Sequence, residues 1–131
     1  MLPMFLIPAA IAMVAPPSLG ITPEALVQQQ VDAFNAHDVE AYVACYGPDV
    51  EFRTMDGKVN PEKGVAPMRK GYTELFKHFP ELKMKVLKRI VQGSIVIDQE
   101  QAEGMGQLPV TATAIYEVSQ GKIMHVWLIQ Q

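Results

Sequence analysis

Helices first and antiparallel strands after is the order read along this chain of 131 residues, and it predicts an α+β domain with helices packed on one face of a curved sheet. Three observations carry the prediction. Apolar side chains recur at helical spacing through the first half, as in Leu26, Val31 and Phe34, and again in Met68, Tyr72, Leu75 and Phe76. From Leu82 onward the chain reads in strand-length runs separated by glycine turns. The closing stretch Val110–Gln131 is rich in Thr, Val, Ile, Tyr and Trp and contains Ser119-Gln120-Gly121, the composition of a β-hairpin.

The elements follow in order. Thr22-Pro23-Glu24 combines a capping hydroxyl, a proline suited to the first helical position and a carboxylate at the positive end of the dipole. That helix runs to about Ala36. Asn35-Ala36-His37-Asp38 breaks it, and Asp38 caps a second helix over Val39–Tyr46 that Gly47-Pro48 ends. Val50–Thr54 is a strand, residues 55–64 a loop of turn residues, and Val65–Phe79 a third helix stopped by Pro80. Leu82–Gln92 and Ile95–Glu103 pair about Gly93-Ser94, and the hairpin Val110–Val118 with Lys122–Ile129 closes the sheet. Alternation sets Ile123, His125, Trp127 and Ile129 on one side of the last strand and Met124, Val126 and Leu128 on the other. Both sides are mainly apolar, so both need cover: helices on one, a second copy of the chain on the other.

Composition narrows the function. With 49% hydrophobic and 19% charged residues the chain is an ordinary globular domain of one core. A net charge of −3 without a basic stripe argues against nucleic acid. Cys45 is the single cysteine, which excludes an intrachain disulfide and a cysteine-built zinc site. The three histidines, His37, His78 and His125, have no ligand spacing, so neither metal nor cofactor is expected. Residues 1–20 form an uncharged apolar segment, with the domain proper over 21–131. Its prolines break any stable membrane span. Residues 1–15 have a signal-like apolar core with Ala10-Ile11-Ala12 but no basic start, leaving export and cytoplasmic residence both open, with an apolar packing arm as the other reading.

Four phrases carry a family resemblance: Val31-Asp32-Ala33-Phe34-Asn35-Ala36-His37-Asp38; Tyr46-Gly47-Pro48-Asp49-Val50-Glu51-Phe52; Gly64, Arg69, Tyr72, Phe76 and Phe79-Pro80 along the third helix; and Ile115-Tyr116-Glu117-Val118-Ser119-Gln120-Gly121-Lys122-Ile123 with Trp127. In this order they resemble the nuclear transport factor 2-like superfamily, in its SnoaL-like and ketosteroid-isomerase-like branch. The resemblance implies a cone-shaped, cystatin-like roll of three helices on a curved antiparallel sheet, with an apolar pocket open at one end. It also implies pairing of two copies through the outer sheet face, near His125 and Trp127. Functions on this fold run from isomerases, cyclases and dehydratases to binding subunits without chemistry, so fold alone does not give activity.

Ketosteroid isomerases use a carboxylate base and an oxyanion hole made by a tyrosine and a protonated aspartate. Matched motif to motif, the tyrosine falls at Gln30, the base at Thr54 and the aspartate near Ala114, so all three are replaced. Asp56 is the substitute base if the strand continues past Thr54, and otherwise a turn residue of Asp56-Gly57. Tyr72 and Phe76 read as core or pocket wall. Tyr116 shares the pocket side with Ala112, Ala114 and Val118, where its hydroxyl holds either a ligand carbonyl or a core partner. The family register turns Gln99 and Gln101 inward, Asp98 and Glu100 outward, Val126 into the pocket and His125 out; a slip of one residue would make Asp98 and His125 a general-base pair. These residues predict a pocket for a small hydrophobic, carbonyl-bearing molecule, serving proton-transfer isomerisation or cyclisation. The alternative is a non-catalytic ligand-binding or dimerisation module of the same shape.

Overall fold

The computed structural model describes residues 20–130; the expectations for the first 19 residues fall outside that range. Helix α1 spans Pro23–Asn35, α2 Val39–Val43 and α3 Val65–His78. The strands are β1 Tyr46–Arg53, β2 Lys83–Gln92, β3 Ile95–Glu103, β4 Val110–Ser119 and β5 Lys122–Gln130. They form one sheet in the order β1-β5-β4-β3-β2. Among the described residues no helix is long and apolar enough to cross a membrane.

Local chemistry fixes the helices as the sequence predicts. The Thr22 hydroxyl accepts the Ala25 N–H at 3.2 Å and Pro23 opens α1. Leu26, Val27, Gln30, Val31 and Phe34 form its buried face. The break after α1 rests on His37, whose φ of 55° reverses the chain. Its ring stacks on Phe76 at 4.4 Å, and its Nε2 lies 2.6 Å from the Leu82 carbonyl oxygen. Asn35 docks the end of α1 on the start of β2 by bonding both the Met84 N–H and the Met84 carbonyl. Asp38 then caps α2 through the Ala41 N–H.

Leu26, Val27, Val50, Leu82, Val96, Ile123 and Val126 are the heart of the core between helices and sheet. Each such side chain contributes about 1.5–3 kcal/mol over an exposed one. β2 is an edge strand, largely exposed, and carries Lys83, Lys85 and Lys88 on its open side, a deterrent to further strand addition.

Three details differ from the sequence expectation. β1 pairs with β5 in parallel, inside an otherwise antiparallel sheet; a helix and three strands intervene, so no hairpin dictates its direction. β1 begins at Tyr46, and α2 ends at Val43, because Gly47-Pro48 continues as irregular strand rather than stopping a helix. β5 does not alternate throughout. Val118 pairs with Ile123 and Glu117 with His125, leaving Met124 as an extra residue in a β-bulge. The bulge turns Ile123 inward, where it is fully buried together with Val126, while His125 and Trp127 lie outward. The β4–β5 turn is a two-residue one, with positive φ at Gln120 and Gly121.

Gly104, in the β3–β4 connection, has φ +101°, and a Cβ there would collide with the Glu81 carbonyl and the Leu82 nitrogen. Gly104→Ala is expected to lower unfolding free energy by about 1–3 kcal/mol. Urea denaturation checks this, with Gly106→Ala, where a Cβ meets open space, as the neutral control.

Candidate functional site

Between the helices and the curved sheet lies a partly open cavity of about 180 Å3 whose walls are largely aromatic: Phe34 from α1, Tyr42 from α2, Tyr46 and Phe52 from β1, Tyr72 from α3 and Tyr116 from β4. The rings pack on one another, with centroids 4.6 Å apart for Tyr42–Tyr72 and 5.2 Å for Tyr42–Tyr46. Val126 and Leu128 complete the sheet side, and Val110 and Gln130 stand at the exposed rim.

Into this apolar space projects one carboxyl group, Glu100 of β3, only 9% exposed. The Tyr116 hydroxyl donates to its Oε2 at 2.6 Å. Gln30, fully buried on α1, donates from Nε2 to the Tyr116 oxygen at 3.3 Å, and its Oε1 accepts from the Tyr46 hydroxyl at 3.0 Å. The Tyr42 and Tyr46 hydroxyls are 3.2 Å apart. Because an amide oxygen can only accept, these bonds run in one direction. Tyr46 donates to Gln30, Gln30 to Tyr116, and Tyr116 to Glu100. Room for the Tyr116 ring comes from β4 itself, where Ala112 and Ala114 stand opposite Glu100 and Asp98.

Burial dominates the acid–base chemistry. It pushes the Glu100 carboxyl up to about 7. The Tyr116 bond and the Arg89 cation act in the opposite sense, while the Asp98 charge adds to the rise. Burial also raises the hydroxyls of Tyr42, Tyr46, Tyr72 and Tyr116, so all four stay protonated donors at neutral pH. Beside the cavity, Asp98 is fully buried but paired: Arg89 donates from Nε to Oδ1 at 2.7 Å and from Nη2 to Oδ2 at 2.8 Å. Arg89 also reaches Gln28 of α1 at 2.9 Å, tying that helix to the sheet.

The predicted site residues divide accordingly. Tyr72, Tyr116 and Val126 line the cavity. Phe76 and Ala114 are buried in the adjoining core. Thr54 and Asp56 are exposed beyond the end of β1, where Asp56 accepts from the Thr54 hydroxyl and the Lys58 N–H. The strand stops at Arg53, so the parity that would have turned Asp56 inward does not reach it. Gln99 is exposed, and the faces of β3 are the reverse of those expected: Asp98 and Glu100 point inward. Asp98 and His125 therefore lie on opposite sides of the sheet and form no pair. His125 instead places Nδ1 at 2.6 Å from Glu117 and Nε2 at 3.4 Å from Glu51. Arg53 and Lys63 hold the Glu51 carboxyl down to about 2. Arg53 also lies over the Trp127 ring at 5.8 Å. Sequence reasoning missed Gln30 and Glu100 as partners. For Gln30 the signal was present, since Leu26, Gln30 and Phe34 follow one helical stripe. Among the described residues no three His, Cys, Asp or Glu side chains are grouped to hold a metal ion.

With this geometry in place, comparison with known proteins decides the family. A SnoaL-like domain model matches residues 27–126. The chain belongs to the SnoaL-like family. No curated protein sequence matches it. Among solved structures, a cystatin-fold protein from Novosphingobium aromaticivorans superposes with TM-score 0.77 at 21% identity, over 85% of this chain and 100% of that one. A candidate polyketide cyclase from Sinorhizobium meliloti gives TM-score 0.66 at 20% identity, over 79% and 92%. AclR, a candidate hydroxylase from Streptomyces galilaeus, gives 0.67 at 21%, over 83% and 74%. At such identities these neighbours show the cystatin-like, nuclear transport factor 2-like fold, and this SnoaL-like chain shares it.

Glu100 should leave a mark on stability. Its folded value, near 7, lies above the ordinary 4.5, so its contribution is complete below about pH 4.5 and is lost as pH rises toward 7. The isosteric Glu100→Gln variant is expected to gain on wild type by on the order of 3 kcal/mol across that interval. Chemical denaturation of both proteins from pH 4 to 8 reads the difference.

Proposed function

We propose that this SnoaL-like protein binds a small hydrophobic, carbonyl-bearing molecule in the aromatic cavity and moves a proton on it with Glu100. The observation that carries the reading is a single carboxyl group buried among aromatic rings, with Oε2 held by Tyr116 and with burial pushing its pKa up to about 7. A general base works best when its own pKa lies near the working pH. In this reading Glu100 Oε1 takes a proton from the carbon beside the substrate carbonyl, and the C–H electron pair moves onto the carbonyl oxygen as an enolate. The protonated Tyr72 hydroxyl, which lines the cavity and donates to neither Gln30 nor Glu100, supplies a neutral donor for that oxygen. Where a C=C bond flanks that carbon, the proton returns from Glu100 at the far end of the double bond, which shifts into conjugation with the carbonyl, and this is isomerisation; alternatively the enolate carbon closes on a second carbonyl, whose oxygen takes the proton from Glu100, and this is cyclisation. The polyketide cyclase candidate among the structural neighbours is consistent with the cyclisation.

A second reading has its own observation. Each hydroxyl and amide from Tyr46 to Glu100 already has a protein partner, as a purely binding cavity would also arrange. Exchange chemistry separates the two. Deuterium incorporation next to the carbonyl of an aryl ketone such as acetophenone is expected to be accelerated by the wild-type protein. The rate should rise with pH through about 7, as Glu100 becomes the carboxylate that accepts the proton. It should fall roughly 100-fold in Glu100→Gln. Ketone binding without any exchange would leave the binding module as the function.

A further inference from the structure

We infer that Gln30 is a positioning residue for the proposed proton transfer. Held by Tyr46, its side-chain amide fixes the direction of the hydrogen bonds that end on Glu100, so that Tyr116 always donates to Oε2 and the proton Glu100 takes up is carried on Oε1. This role presupposes the proposed cavity function and adds to it. Gln30 lies in the middle of the buried face of α1, among Leu26, Val27, Val31 and Phe34, and is itself fully buried. Packing alone would be served there by an apolar side chain of similar length, and a buried amide is costly unless both its ends are bonded. Both ends are, and to different strands: Nε2 reaches Tyr116 of β4 at 3.3 Å and Oε1 meets the Tyr46 hydroxyl of β1 at 3.0 Å.

A phenol has one proton to give and an amide oxygen has none. Tyr46 gives its proton to Gln30, Gln30 meets Tyr116 with an N–H, and the Tyr116 proton is left for Glu100 Oε2 at 2.6 Å. The opposite sense is also self-consistent. With the amide turned over, Tyr116 would donate to Gln30, a proton on Glu100 Oε2 would be donated to Tyr116, and Tyr46 would turn to Tyr42, 3.2 Å away. That arrangement suits only the protonated acid, because no donor would face Oε2, and it holds the proton against Tyr116. Reaching it requires a fully buried amide and two hydroxyls to turn together. As it stands, the Gln30 N–H occupies a lone pair of the Tyr116 oxygen and strengthens Tyr116 as a donor to the carboxylate. The other groups around Glu100 leave this direction untouched. Asp98 of β3 is paired with Arg89 of β2, Tyr42 of α2 and Tyr72 of α3 are neutral, and β5 faces the cavity with Val126, Leu128 and Gln130.

The test titrates the Glu100 carboxyl carbon by NMR in glutamate-labelled wild type, Gln30→Met and Tyr46→Phe, and follows deuterium exchange into acetophenone over the same pH range. Gln30→Met keeps the side-chain length and removes both hydrogen-bonding groups. Tyr116 is then a weaker donor with a free lone pair, which favours protonated Glu100. The midpoint is expected to rise by roughly 0.5–1 pH unit in Gln30→Met, a change of about three- to tenfold in proton affinity. It should rise by less in Tyr46→Phe, where the amide loses the donor that orients it. The pH of half-maximal exchange should move with the midpoint. A merely structural Gln30 would lower stability and leave the midpoint in place. An unchanged or lowered midpoint in folded Gln30→Met overturns the inference, as does a rise there with none in Tyr46→Phe. Should near-UV circular dichroism show Gln30→Met unfolded, Tyr46→Phe decides alone: a raised midpoint supports the inference and an unchanged one overturns it. Midpoints that shift as expected, with no exchange in wild type, support the hold of Gln30 on Glu100 and overturn the proton-transfer function instead.

Discussion

The bond from the Tyr116 hydroxyl to Glu100, 2.6 Å long, is the constraint around which the interior is arranged. An unpaired carboxyl in an apolar cavity costs several kcal/mol if it ionises, and less if it stays protonated and bonded. The protein combines both remedies. Burial lifts the carboxyl toward neutrality, and a one-way series of donors starting at Tyr46 orients Tyr116 onto it. Four elements meet in that series: β1 brings Tyr46, α1 brings Gln30, β4 brings Tyr116 and β3 brings Glu100. The early start of β1 and the small alanines of β4 are the local features that make the meeting geometrically feasible.

Charge is sorted by face. Inside, the Arg89–Asp98 pair holds α1 against β2 and β3 without leaving a charge unmatched. Outside, Glu51, Arg53, Lys63, Glu117 and His125 form a mixed cluster around half-buried Trp127. The bulge at Met124 is what separates the two chemistries on β5, placing Ile123 and Val126 in the core and His125 and Trp127 outside it. Histidine is thereby removed from the cavity, and glutamate is the group left to titrate there.

Much of the fold was legible in the sequence because its signals are local. Thr22-Pro23, Asp38, Pro80 and the glycine turns each act within a few residues, and each element lies within a few residues of its predicted span. The site was less legible because its terms are non-local. Along Asp98-Gln99-Glu100-Gln101 every side chain is polar, so alternation cannot say which face is inside. The family register then places the amides inward, and the expectation fails: Arg89 and Tyr116, from two other strands, satisfy the acids on that face. Likewise, parity along β5 reads correctly from His125 onward but not across Met124, since a bulge leaves no mark in an apolar run. Tyr116 reads as inward-facing because Ala112, Ala114, Tyr116 and Val118 share one parity along β4, while Thr111, Thr113 and Glu117 share the other with Ile115.

The central claim, that the cavity keeps one carboxyl poised between its two protonation states near neutral pH, is most directly tested by carboxyl-carbon NMR of glutamate-labelled protein. The Glu100 signal is identified by its loss in Glu100→Gln. The account predicts a titration midpoint near 7, and a midpoint at the ordinary 4.5 would contradict it.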